Sequence, residues 1–145
     1  MRRLFAALAV AAVLAASPLC AQERPADLAP ADRAAIEAVI TRQIEAFQRD
    51  DGDTAFGFAA PSIQGMFLTP ERFMAMVRGG YRPVYRPREY RFARLSYLGD
   101  VLVQFVAIVG PDGAPVVAAY TMEQQPDGSW RIAGCELLTL PSEST

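Results

Sequence analysis

Ile36, Val39, Ile40, Ile44 and Phe47 recur at the three- and four-residue spacing of an amphipathic helix. Arg33, Glu37, Arg42, Glu45 and Arg49 fall mostly off that stripe. Pro30 suits the first helical position and Asp32 the positive first turn, while Asp50-Asp51-Gly52 is turn chemistry. A second, shorter helix is expected from an Asp53 cap through Phe56, Phe58 and Ala59, stopping near Pro61. Residues 62–68 read as an irregular turn. Thr69-Pro70-Glu71 then opens a third helix, with an N-cap hydroxyl, a proline at the first position and an acid beside it. Phe73, Met76 and Val77 form its buried face, and Gly79-Gly80 ends it.

Beyond Gly80 the period changes. Residues 89–98, 101–109, 116–124 and 129–138 are apolar, β-branched or aromatic runs. Gly99-Asp100, Pro111-Asp112-Gly113 and Pro126-Asp127-Gly128 separate them, and turns this short join antiparallel neighbours. With no helix between the strands, the helices must cover one face. The expected fold is therefore α+β, three N-terminal helices on a curved four-stranded antiparallel meander.

The N-terminus has a different logic. Arg2-Arg3, an uncharged apolar run of 13 residues from Leu4 to Ala16, and Leu19-Cys20-Ala21 read as a secretory signal peptide over residues 1–21. The apolar run is too short for a membrane-spanning helix, which needs roughly 20 residues, so no transmembrane segment is expected after cleavage. The domain reading is a signal peptide 1–21, a flexible leader 22–29, a single α+β domain 30–140 and a tail 141–145. The expected location is periplasmic or secreted.

Removing Arg2 and Arg3 from the chain's 14 basic residues leaves 12 against 16 acids, a net charge of −4. That balance argues against a nucleic-acid binder. The absence of histidine removes the commonest general base and metal ligand. After cleavage Cys135 is the one cysteine, which excludes an intramolecular disulfide, and with no histidine beside it a four-ligand structural zinc site and a Cys-His or Ser-His-Asp nucleophile are excluded too. No metal or cofactor is expected. Asp50, Asp51 and Asp53 lack the oxygen spacing of a calcium loop and read as a solvated turn.

One segment stands out against this acidic background. Arg78, Arg82, Arg86, Arg88, Arg91 and Arg94 face only Glu89, a local charge of +5, with Tyr81 and Tyr85 interleaved. Arg82 and Arg86 each precede a proline, which favours extended backbone. Guanidinium forks match carboxylates and phosphates and stack on phenol rings. The same arginines could instead pair with Asp50, Asp51 or Asp53 and fasten a long connection onto the body.

Other residues suggest chemistry less directly. Glu123 or Glu136 with Tyr90, Tyr97 or Tyr120 could form an acid–phenol pair in a pocket, although no spacing selects one pair. Cys135 reads as a core thiol. Gln104, the one polar residue of its strand, is expected to bond neighbouring backbone or to face a pocket.

The sequence from Ala46-Phe47 through Asp50-Asp51, Ala55-Phe56, Pro61-Ser62-Ile63-Gln64 and Phe67 continues as Thr69-Pro70-Glu71-Arg72-Phe73-Met74-Ala75-Met76-Val77-Arg78 and Gly80-Tyr81-Arg82-Pro83-Val84-Tyr85-Arg86-Pro87-Arg88. It resembles domain-of-unknown-function family 4864, small exported proteins that are mostly alphaproteobacterial. The ending Asp127-Gly128-Ser129-Trp130-Arg131-Ile132 also resembles the nuclear-transport-factor-2-like (SnoaL-like) architecture. The resemblance implies a conical fold and export, but no activity. That superfamily holds isomerases, dehydratases and binding modules alike.

The functional expectation is a non-catalytic periplasmic binding module. Its small anionic ligand or envelope partner would meet Arg78, Tyr81, Arg82, Tyr85, Arg86 and Arg88. The alternatives are a small isomerase or dehydratase with an acid in the cone, and a homodimeric envelope protein using the outer sheet face. The homodimer would place apolar residues on both faces of the runs 101–109 and 116–120.

Overall fold

The computed structural model describes residues 24, 25 and 27–140. The expected signal peptide and the tail 141–145 lie outside the described residues. Helix α1 spans Pro30–Gln48, α2 Gly52–Gly57, α3 Pro61–Phe67, α4 Pro70–Gly80 and α5 Arg82–Tyr85. Strands β2 (Glu89–Leu98), β3 (Val101–Val109), β4 (Pro115–Gln124) and β5 (Trp130–Thr139) follow. Arg24–Pro25, inside the expected flexible leader, forms a two-residue strand β1 against Tyr97 and Ser96. The sheet runs β1-β2-β3-β4-β5 in chain order with every pairing antiparallel. The α+β class and the meander are as expected.

Among the described residues there are five helices rather than three. Residues 62–68, expected as an irregular turn, instead lie mostly in α3: Pro61 opens it, and Gln64 Nε2 donates to the carbonyls of Phe56 and Ala59 at 3.1 and 3.2 Å. Residues 82–85, expected to be extended, form a single helical turn. Pro83 sits in its first positions, where a missing N–H costs nothing, and Arg86 N closes the turn on Arg82 O at 2.9 Å. The cap of α2 is also two residues earlier than expected: Asp51, not Asp53, accepts from Thr54 N at 3.2 Å. Thr69 caps α4 as the sequence indicates, accepting from Arg72 N at 3.3 Å.

The core lies between the helices and one sheet face. Ile36, Ile40, Ile44 and Phe47 of α1 meet Val106, Ala118, Tyr120 and Ile132 of the sheet, all buried. Trp130 Nε1 donates to Asp32 Oδ1 at 3.1 Å, tying β5 to the first turn of α1. The α2–α3 junction docks on the edge of β5. Ala60 N donates to Ile132 O at 2.8 Å, and Ile132 N donates to Phe58 O at 2.9 Å. One face of β3 is buried through Leu102, Gln104, Val106 and Ile108, while the other is half-buried, running from exposed Val101 through buried Val103 to Phe105 and Ala107. No described helix is long and apolar enough to cross a membrane.

Two bulges interrupt the ladders, one on β2 between Phe92 and Leu95 and one on β5 at Ala133, opposite Thr121/Met122 of β4. A bulge bends its strand and leaves local backbone groups unpaired. On β2 the deficit is met by Gln104, whose Nε2 donates to the carbonyls of Ala93, Arg94 and Phe105 at 3.3, 3.3 and 2.9 Å. Of the two roles expected for this residue, the backbone one holds.

Candidate functional site

The arginine-tyrosine segment folds back on the end of α1. Asp50 carries a left-handed backbone (φ 53°), a conformation aspartate tolerates better than most residues. Its carboxylate accepts from the Tyr85 hydroxyl, from Arg86 Nη2 at 2.9 Å and from Arg78 Nη2 at 3.4 Å. Arg86 Nη1 also donates to Phe47 O, and the Arg86 guanidinium lies 3.9 Å from the Tyr85 ring centroid. The Tyr85 hydroxyl, then the charges of Arg86 and Arg78, hold the Asp50 carboxyl below its usual range.

The six candidate residues are thus divided. Arg78, Tyr85 and Arg86 converge on Asp50 and fasten the connection to the body. The Tyr81 hydroxyl donates to Cys135 O at 2.9 Å, across to β5. Arg82 and Arg88 are exposed, and their side chains make no hydrogen bond or ion pair among the described residues.

A lowered carboxyl pKa stabilises the fold above its unfolded value of about 3.9, and that contribution is lost as pH falls through the lower folded value. Asp50→Asn is expected to be less stable than the parent at pH 6, with the difference closing toward pH 2. Thermal melts of both proteins across that range check it. Asp51 and Asp127, also lowered by local hydrogen bonds from Thr54 and Ser129, leave some acid sensitivity in the variant.

Behind this latch lies a cavity of about 330 Å3. Phe47 of α1, Ile63 and Phe67 of α3, Phe73, Met76 and Val77 of α4, Tyr81 and Val84 around α5, and Tyr120, Ile132 and Cys135 of the sheet line it, with Gln43 as a further polar member. The clamp between Ala60 and Ile132 sets one wall, and the latch at Asp50 holds the other. Met66, 70% exposed, stands at the rim.

No charged side chain lines this space. Glu123 and Glu136 are exposed and lie elsewhere, so no acid–phenol pair from the sequence reading meets in the cavity. Gln43 is buried and donates Nε2 to Ala55 O at 3.1 Å. Burial, with the Glu136 charge second, pushes the Cys135 thiol up to about 12, so it stays protonated and weakly nucleophilic. Burial likewise raises the Tyr120 phenol well above its usual value and keeps it neutral.

Sequence reasoning named Tyr120 only as one of three phenols and missed Gln43. The signal for Gln43 was present, because it falls on the buried stripe between Ile40 and Ile44. A polar residue on such a stripe needs a partner, and here the partner is α2 backbone. The rest of the wall is ordinary core composition, which carries no sequence mark of a void.

No curated protein and no solved structure matches this chain. The family model described as domain of unknown function (DUF4864) matches residues 29–145, which takes in every described helix, strands β2–β5 and the whole cavity wall. On that match the chain is a member of the DUF4864 family.

Proposed function

We propose that this protein is a non-catalytic binding module, working in the periplasm after export, that holds one small molecule in the cavity between the helices and the sheet. The cavity itself carries the reading: about 330 Å3 of apolar and aromatic wall with few polar groups. That is the low end of the roughly 300–1,000 Å3 typical of ligand pockets. A wall without carboxylate, histidine or thiolate has binding chemistry rather than acid–base or nucleophilic chemistry. The helix-covered meander with two bulges supports a nuclear-transport-factor-2-like cone as the finer fold reading.

A second reading keeps an anionic ligand or partner at Arg82 and Arg88, the two candidate arginines whose heads are exposed and uncommitted. One thermal-shift screen separates the two. Small neutral aromatic compounds are expected to raise the melting temperature by several degrees. Saturation at about 100 times Kd is worth about 2.7 kcal/mol. Met76→Trp, which fills the cavity, is expected to abolish that response. A shift given only by phosphates or carboxylates, and lost in Arg82→Ala with Arg88→Ala, would establish the second reading instead. A screen with no response from either class removes both.

A further inference from the structure

Tyr120 is the group in the cavity wall that the fold leaves unexplained. It is fully buried on β4, in register with Gln104 of β3 and Cys135 of β5. Its hydroxyl is closed to bulk water and has no hydrogen-bond partner among the described residues. A buried phenol normally finds one, and an orphaned polar group weakens a fold. The donors around it are already engaged. Gln104 serves the β2 bulge, Gln43 donates to Ala55 O, and the Tyr81 hydroxyl donates to Cys135 O.

We infer that the ligand is a small, neutral, mainly apolar molecule carrying one hydrogen-bond acceptor, and that the Tyr120 hydroxyl is the donor that selects it. This rests on the cavity being the binding site. Neutrality follows from the wall, which offers no charged side chain to pair with an ion taken out of water. The single acceptor, a carbonyl or ether oxygen, follows from the single unsatisfied donor. The apolar remainder follows from Phe47, Ile63, Phe73 and Val77 around it. Met66 and Met76, unbranched and adaptable, give the wall the freedom to admit the acceptor to a hydroxyl that solvent does not reach.

The test titrates the protein and its Tyr120→Phe variant with acetophenone, ethylbenzene and benzoate, read by calorimetry. Ketone and hydrocarbon share a shape and differ in the acceptor. The protein is expected to prefer acetophenone to ethylbenzene by roughly tenfold, which is about 1.4 kcal/mol. Benzoate is expected to bind weakest. Tyr120→Phe is expected to erase the preference while retaining ethylbenzene, and to melt no lower than the parent, because it removes an orphaned group. Equal binding of ketone and hydrocarbon, an unchanged preference in the variant, or tighter benzoate would overturn the inference while leaving the cavity as a binding site. A lower melting point in Tyr120→Phe would overturn it too, since the hydroxyl would then already have a partner. Binding of none of the three would defeat the cavity reading itself.

Discussion

Phe47→Ala is expected to lower the unfolding free energy by about 3–5 kcal/mol, the range for emptying a buried aromatic site. Phe47 is 2% exposed and joins three parts of the structure. Its ring centroid lies 6.1 Å from that of Phe73 on α4 and 6.5 Å from that of Tyr85 on α5. Its carbonyl receives Arg86. Truncation removes the ring from the core and enlarges a cavity already beside it, so the neighbours have little reason to close the gap. For a domain of this size the loss corresponds to a fall in melting temperature of more than about 10 °C. Urea unfolding checks it, with Phe58→Ala as the control, because Phe58 is only half-buried and its loss should shift the midpoint far less.

Gln104→Met should cost about 1–3 kcal/mol, and toward the upper figure if two carbonyls are stranded. The substitution keeps the length of a side chain that is 1% exposed and removes only its amide. Ala93 and Arg94 sit at the β2 bulge, outside the regular register with β3, and the Gln104 amide donates to both carbonyls. Hydrogen exchange should show the loss as faster exchange along β2 from Phe92 to Leu95, with α1 unaffected at low denaturant. Uniform loosening of the molecule, or no loss of stability, would mean that the amide is not what holds the bulge.

These two residues also show what a sequence can convey. Phe47 was legible because helical spacing places it on the same stripe as Ile36, Ile40 and Ile44, and burial follows from that geometry. The strand limits were legible because Gly99, Gly113 and Gly128 occupy left-handed turn positions that glycine accepts without strain. Helix α5 was not. The rule that a residue before proline avoids helix applies to Arg82, but here the turn is stabilised from outside, by Tyr85 and Arg86 reaching Asp50 across 35 and 36 positions. Local preference lost to a distant carboxylate.

The candidate site was legible in part for the same reason. Positive charge at 78–94 is visible in composition, but its distribution between internal partners and solvent depends on where Asp50 lies in space. The cavity is less legible still. Its wall is made of the residue types that fill cores, and the void is the space that α3, α4 and β5 leave between them. Tyr120 differs from Tyr90 or Tyr97 in that its hydroxyl is fully buried without a partner, a property of three-dimensional surroundings alone.

The two-residue strand β1 has a consequence for how copies of this chain meet one another. Among the described residues it pairs with the outer edge of β2 only at Ser96 and Tyr97, and β2 is ten residues long. An open edge is a template for adding strands from other molecules, the first step of aggregation. The stretch outside that pairing carries Arg91 and Arg94, follows Arg88 directly, and contains the bulge. A second chain approaching in register meets like charge opposite like charge on a strand that does not run straight. A charged, bulged strand of this kind is a poor template for further pairing.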